Sequence, residues 1–276
     1  MTGIGIGAAL GQAKALLVQD RAALALYLAL GVLVPFLLHA AEPALSLRAL
    51  VSVTAGGGFF SGSLTGPMYL FAIMAVVWTA AQFALWNALL PDLREGPVGE
   101  IMYGLVAGVA FLLCYIVFSI LFVLIPGGAL TFVLAPLTMT NPQWAVATTS
   151  VQSLVNLVLG AFIGSRLWLT GPIMAAAGSM NPLPALLESW RRTAPSWGKL
   201  FLLFFSLQLV GGLIAAGMFA GHTAIIFADP AAVGYGETAM SVVWLCYWLT
   251  VFVMQSLLAA GLFRAASEGS SSEVFA

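Results

Sequence analysis

The chain has two histidines, and each has acids nearby in sequence: His39 precedes Glu42, and His222 precedes Asp229 and Glu237. Side chains of these types hold metal ions or shuttle protons. The spacing matches no ligand motif such as His-Glu-x-x-His, so isolated polar loop residues are the plainer account. There is no Gly-x-Ser-x-Gly nucleophile elbow and no phosphate-binding loop. The runs Gly56-Gly57-Gly58 and Ser61-Gly62-Ser63 read as flexible turns. No catalytic residue, metal site or cofactor is expected.

A second set of polar residues is embedded in apolar stretches: Gln82, Asn87, Gln152, Asn156, Gln208 and Gln255. They could line a seam that binds a headgroup or a neutral solute, with Gln82, Gln152, Asn156, Gln208 and Gln255 as its candidates. Hydrogen bonding between helices is the alternative. No Asp, Glu, Lys, Arg or His falls near the middle of those stretches. Ion-coupled carriers keep such groups there because intramembrane charge is costly.

The richest segment runs from Ser165 to Leu200. Arg166 ends one apolar stretch and Pro172 ends or bends its helix. A short helix follows, with Leu183, Leu186, Leu187 and Trp190 at helical spacing and Glu188, Arg191 and Arg192 facing away. Pro182 and Pro184 suit its first turn. Arg166, Trp190, Arg191, Arg192 and Lys199 form a candidate contact surface for anionic lipid headgroups. Anchoring of topology alone would call for the same residues.

The elements that position these groups follow from composition. Of 276 residues, 62% are hydrophobic and 7% charged. A soluble domain carries roughly 25% charge, so the solvent here is lipid. A net charge of −1 argues against a nucleic-acid partner. Six stretches are long and apolar enough to cross a bilayer: 22–41, 68–90, 105–125, 145–167, 200–220 and 239–263. Each must be helical to satisfy its amides. The expected fold is therefore all-α, polytopic, with six transmembrane helices in three hairpins. Residues 1–264 form one integral membrane domain and 265–276 a disordered tail. The first stretch reads as a retained span, not a cleaved signal. Lys14, Arg21, Arg94, Arg166, Arg191, Arg192, Lys199 and Arg264 share one side and Arg48 alone lies opposite, which puts both termini in the cytoplasm.

Loops are expected at 42–67, 126–143 and 221–238. A short interfacial amphipathic helix precedes each hairpin: Ile4 to Gln19, with Leu10, Ala13, Leu16 and Leu17 on one face; Gly96 to Leu105, poorly patterned; and the segment from Pro182. Gln82, Gln152 and Gln255 open similar stretches in the second helix of each hairpin, a weak sign of a threefold repeat. Cys114 and Cys246 lie inside apolar spans as packing residues, and a disulfide would require two helices to align them. The glycines from Gly211 to Gly217, with Gly160 and Gly164, suit close helix packing, within the chain or between copies.

The segment from Arg166 resembles the membrane domain found ahead of some glycerophosphoryl diester phosphodiesterases, and related bacterial inner-membrane proteins. The shared pattern is Arg-Leu-x-Leu-x-x-Pro, here Arg166, Leu167, Leu169 and Pro172. A Pro-x-x-Ala-Leu-x-x-Ser-Trp helix follows, departing slightly here, where Pro182 is followed by Leu183, Pro184, Ala185 and Leu186, then Ser189 and Trp190. The resemblance covers about 36 residues closely and elsewhere only the layout. It implies a bacterial cytoplasmic-membrane protein. The soluble barrel and its metal-binding carboxylates have no counterpart in these 276 residues, so no catalytic role carries over.

Three functions are compatible with these residues. The first is a non-enzymatic protein that contacts membrane lipids, organises them or anchors a protein partner or a second copy of itself. The second is a permease for a neutral or amphipathic solute along the glutamine seam. The third is an enzyme acting on lipid with His39, His222 and Asp229.

Overall fold

The structure is a computed structural model that describes residues 5–41, 66–91, 96–140, 143–226 and 230–274. Among these residues every regular element is helical. Helix α1 (Ile6–Gln19) meets α2 (Arg21–Leu28), a π turn (Ala29–Leu33) and α3 (Val34–Ala41). Helix α4 spans Gly66–Leu89. Helix α5 (Pro97–Ser119) runs through a second π turn (Ile120–Leu124) into α6 (Ile125–Thr140). Then come α7 (Gln143–Leu167), α8 (Thr170–Ala176), α9 (Pro182–Thr193), α10 (Trp197–Ile226) and α11 (Pro230–Val274). Among the described residues four helices are long and apolar enough to cross a membrane: Pro97–Leu130, Ser150–Ala176, Pro182–Ile225 and Thr238–Ser267. A fifth is added if α1 and the following helix, bent by 89°, count as one.

Asp20 makes that bend. Its backbone leaves the helical region (φ −141°) and its carboxylate accepts the Ala23 amide at 2.8 Å. Such an N-cap stabilises a helix start by about 1 kcal/mol. Helix α1 then lies across α11 at Gly261, where an added Cβ would come within 2.4 Å of the Ala9 carbonyl oxygen. Helices α4 and α5 cross just as closely at Gly104, against Ala80 and Ala84. In lipid, helices associate through such small-residue contacts because burying leucine there gains little.

The two π turns share a cause. Proline has no N–H, and its ring clashes with the carbonyl four residues back. For Pro35 that residue is Gly31, and for Pro126 it is Phe122. Both lie inside a π turn, whose wider spacing relieves the clash within a continuing helix. Each proline stands two residues after its turn.

The packed core lies at one end of the bundle. Leu16, Tyr27, Phe83, Leu85, Trp86 and Phe252 are buried together there. The basic side chains Arg166, Arg192 and Arg264 make their contacts at this charged end. Beyond Leu200, no described side chain of α10 is fully buried.

Several expectations need correction. The stretch 126–143, expected as an uncharged loop at the interface or on the helix ends, is largely helix: α6 continues to Thr140. Most of 221–238 is helical too, leaving 227–229 outside the described residues. The expected interfacial helix from Gly96 to Leu105 is not separate, because α5 runs unbroken from Pro97. Helix α11 passes Arg264 and continues to Val274, through the segment expected to be disordered. Backbone in an apolar medium has no cheaper way to satisfy its amides than helix, and Pro126, Gly127 and Pro136 are tolerated within α6. Of the loop expected at 42–67, residues 42–65, with Glu42 and Arg48, lie outside the described residues, as does Arg94.

Candidate functional site at the charged end

The site is built by the segment that follows α7. After Leu167 the chain turns at Trp168 and Leu169 and enters α8, which is almost wholly buried. Gly171 permits this: a Cβ there would sit 2.0 Å from the Trp86 ring. Trp86 in turn donates from Nε1 to the Ser256 carbonyl at 2.8 Å, joining α4 to α11. Helix α8 ends on Gly178, whose positive φ (61°) suits a glycine, with the Ser179 amide bonded back to the Met174 carbonyl at 2.9 Å. Tyr103 Oη donates to the Ser179 carbonyl at 3.1 Å. Asn181 then caps α9, accepting the Leu183 amide at 3.1 Å.

Helix α9 has three faces. Pro182, Ala185, Leu186, Ser189 and Thr193 are buried. Leu183, Leu187 and Trp190 form an exposed apolar stripe, at 58%, 63% and 38% exposure. Arg191 is exposed on the third face, beside Arg192 and Glu188, which pair at 2.7 Å. The apolar spacing was legible in the sequence, but the small polar face was not, and Leu186 belongs to the buried side. Helix α1 repeats the pattern: Ala9 and Leu16 are buried and Ala13 packs with the core, while Leu10 and Leu17 are exposed.

Arg166 is the centre of the site. It is only 8% exposed. One N–H donates to Thr193 Oγ1 at 3.3 Å, and the guanidinium lies 4.4 Å from the centre of the Trp190 ring. Its carbonyl, left without a helical partner near the end of α7, accepts the Ser189 hydroxyl at 2.7 Å. Thr193 Oγ1 also reaches the Ser189 carbonyl at 2.8 Å. The sequence expectation of a headgroup-facing arginine therefore becomes an arginine tucked beneath α9. Phe162, one turn earlier on α7, meets both Trp190 and Trp197 edge-on, at 6.0 and 6.3 Å. Arg192 lies 5.7 Å from the Phe263 ring. Lys199 is exposed at the start of α10.

The glutamine seam is only partly assembled. Gln152 and Asn156 bond to each other at 3.4 Å along α7, and both crowd Gly127 of α6. Gln82 and Gln208 are half-buried on α4 and α10, and Gln255 is exposed on α11. The side chains of His39, His222 and Glu237, with Asp229, lie outside the described residues. Cys114 is half-buried and Cys246 exposed, and neither is in a disulfide. Gly164 packs against Phe204 and Gly211 neighbours Tyr247, whereas among the described residues a Cβ at Gly160, Gly212 or Gly217 would meet nothing within 4 Å.

Sequence reasoning missed one contact of weight. Glu100, in the first turn of α5, is fully buried and accepts a hydrogen bond from the Tyr27 hydroxyl of α2. Its position outside the middle of any span hid it. An acid one helical turn from the packing glycine Gly104 was the available signal.

The chain matches no family model, no curated protein and no solved structure. Among the described residues the fold is all-helical, with four to five helices long and apolar enough to span a membrane.

Proposed function

We propose that this is a non-enzymatic, multi-pass protein of the bacterial cytoplasmic membrane whose charged end binds anionic lipid. In this reading six spans form three hairpins and both termini are cytoplasmic. The partners are membrane lipids, together with a protein or a second copy that the chain anchors. One observation carries the reading. Leu183, Leu187 and Trp190 project from α9 as an exposed apolar stripe, with exposed Arg191 and half-buried Arg192 alongside. A helix so divided lies in the headgroup plane with its apolar stripe dipped into the bilayer. The likeness of Arg166 to Trp190 to the phosphodiesterase membrane domain supports the same location.

The test is lipid selectivity in nanodiscs of mixed phosphatidylglycerol and phosphatidylcholine. Enrichment of phosphatidylglycerol near the protein is expected to fall in Arg191→Glu/Arg192→Glu, by about fivefold per charge. Unchanged enrichment overturns the reading. A permease along the glutamine seam has less behind it, because Gln152 Nε2 donates to Asn156 Oδ1 and both side chains crowd Gly127.

A further inference from the structure

Arg166 is a buried charge with no countercharge among the described residues. Among the described residues the acid nearest in role, Glu188, is committed to Arg192 at 2.7 Å, and no carboxylate pairs with Arg166. Thr193 takes one guanidinium N–H, at 3.3 Å. A guanidinium carries five such donors in a planar fork. Trp190 covers one face at 4.4 Å, but a ring quadrupole neutralises no charge. A desolvated cation without an anion is strongly unfavourable. An anion from outside the chain would meet that need.

The surroundings define what kind of anion. Trp190 is 38% exposed and Trp197 52%, and both stand edge-on to Phe162, one turn from Arg166. Aromatic side chains with apolar bodies and polar edges settle where headgroup meets hydrocarbon. A planar fork is suited to paired phosphate oxygens. An anion with an apolar tail meets both demands, its phosphate on the fork and its glycerol and upper acyl chains along the three rings.

We infer that Arg166 is the phosphate-binding residue of a discrete site for one anionic phospholipid, walled by Phe162, Trp190 and Trp197. This rests on the lipid-contact reading above but is separable from it. Arg191 and Lys199 collect anionic lipid loosely at the surface, whereas Arg166 retains a single molecule.

Native mass spectrometry of the full-length protein, delipidated in detergent and titrated with phosphatidylglycerol, tests it. The wild type is expected to retain one lipid at collision energies that strip the rest. Arg166→Lys keeps the charge but loses the fork, and retention is expected to fall about tenfold. Trp190→Leu is expected to lower it as well, and carries the test should the Arg166 variant fail to fold. Arg191→Glu/Arg192→Glu should keep this one lipid while losing the diffuse enrichment in nanodiscs. The converse, diffuse enrichment intact with no retained lipid, overturns the discrete site and leaves the surface reading standing. Equal retention by wild type, Arg166→Lys and Trp190→Leu also overturns it. Millimolar inorganic phosphate should not displace the lipid; displacement would assign the site to a free anion and overturn the lipid assignment.

Discussion

Arg264 closes the end of α4 by donating from Nη2 to the Leu89 carbonyl at 2.8 Å, across 175 residues of sequence. Its Nη1 reaches Gln19 Oε1 at 3.0 Å, so one guanidinium joins α1, α4 and α11. The last carbonyls of a helix have no partner within it, and charged donors satisfy them well. Arg264→Ala is therefore expected to destabilise the protein by about 1–3 kcal/mol. Thermal unfolding of the detergent-solubilised protein checks this. A melting temperature equal to the wild type would mean that water serves Leu89 as well.

The Tyr27–Glu100 pair predicts a comparable loss. Tyr27→Phe keeps the buried ring and removes only the hydroxyl that donates to Glu100. A buried acceptor deprived of one donor costs about 1–3 kcal/mol. The same melting experiment should show the effect. Restoration of stability in Tyr27→Phe/Glu100→Leu would locate the cost in the abandoned acceptor.

Glycine substitutions should divide sharply by place. At Gly171 a methyl group would lie 2.0 Å from the Trp86 ring, and at Gly261 2.4 Å from the Ala9 carbonyl oxygen. Overpacking of this kind costs about 1–3 kcal/mol or more. Gly171→Ala and Gly261→Ala should lower the monodisperse yield in size-exclusion chromatography. Gly212→Ala has open space around it and should match the wild type in yield; a loss there would point to a contact between copies.

Removing a proline should remove its π turn. In Pro126→Ala the amide returns and the clash with the Phe122 carbonyl disappears, so ordinary helical bonding can resume. Hydrogen exchange by mass spectrometry should slow across 120–126. Exchange as fast as in the wild type would show that another force sets the turn.

The sequence made the helices around Ser165–Leu200 legible because their signals are local. Pro182 in the first turn of α9 and the spacing of Leu183, Leu187 and Trp190 are visible in the letters alone. The buried Ser189–Thr193 face was hidden, since small polar residues read as solvent-facing in a protein surrounded by water. On α9, Leu183 and Leu187 stay outside while Ala185, Ser189 and Thr193 join Leu186 in the interior. Leu10 and Leu17 of α1 turn outward in the same way. Ser165–Leu200 named Arg166 as a site residue, but only packing could put it under α9. The run from Ile125 to Thr140 carries no charge to mark an end, so it read as a loop though it is helix.

The crossing of α1 with α11 has a consequence for biosynthesis. Gln19 finds Arg264 only after another 245 residues have been made, roughly 12 to 50 s at ordinary rates of translation. Through that interval the first helix has neither Gly261 to lie against nor Arg264 to hold its end. Until α11 is made, Ala9 lacks the Gly261 surface that buries it, so this part of the bundle closes only when α1 and α11 meet.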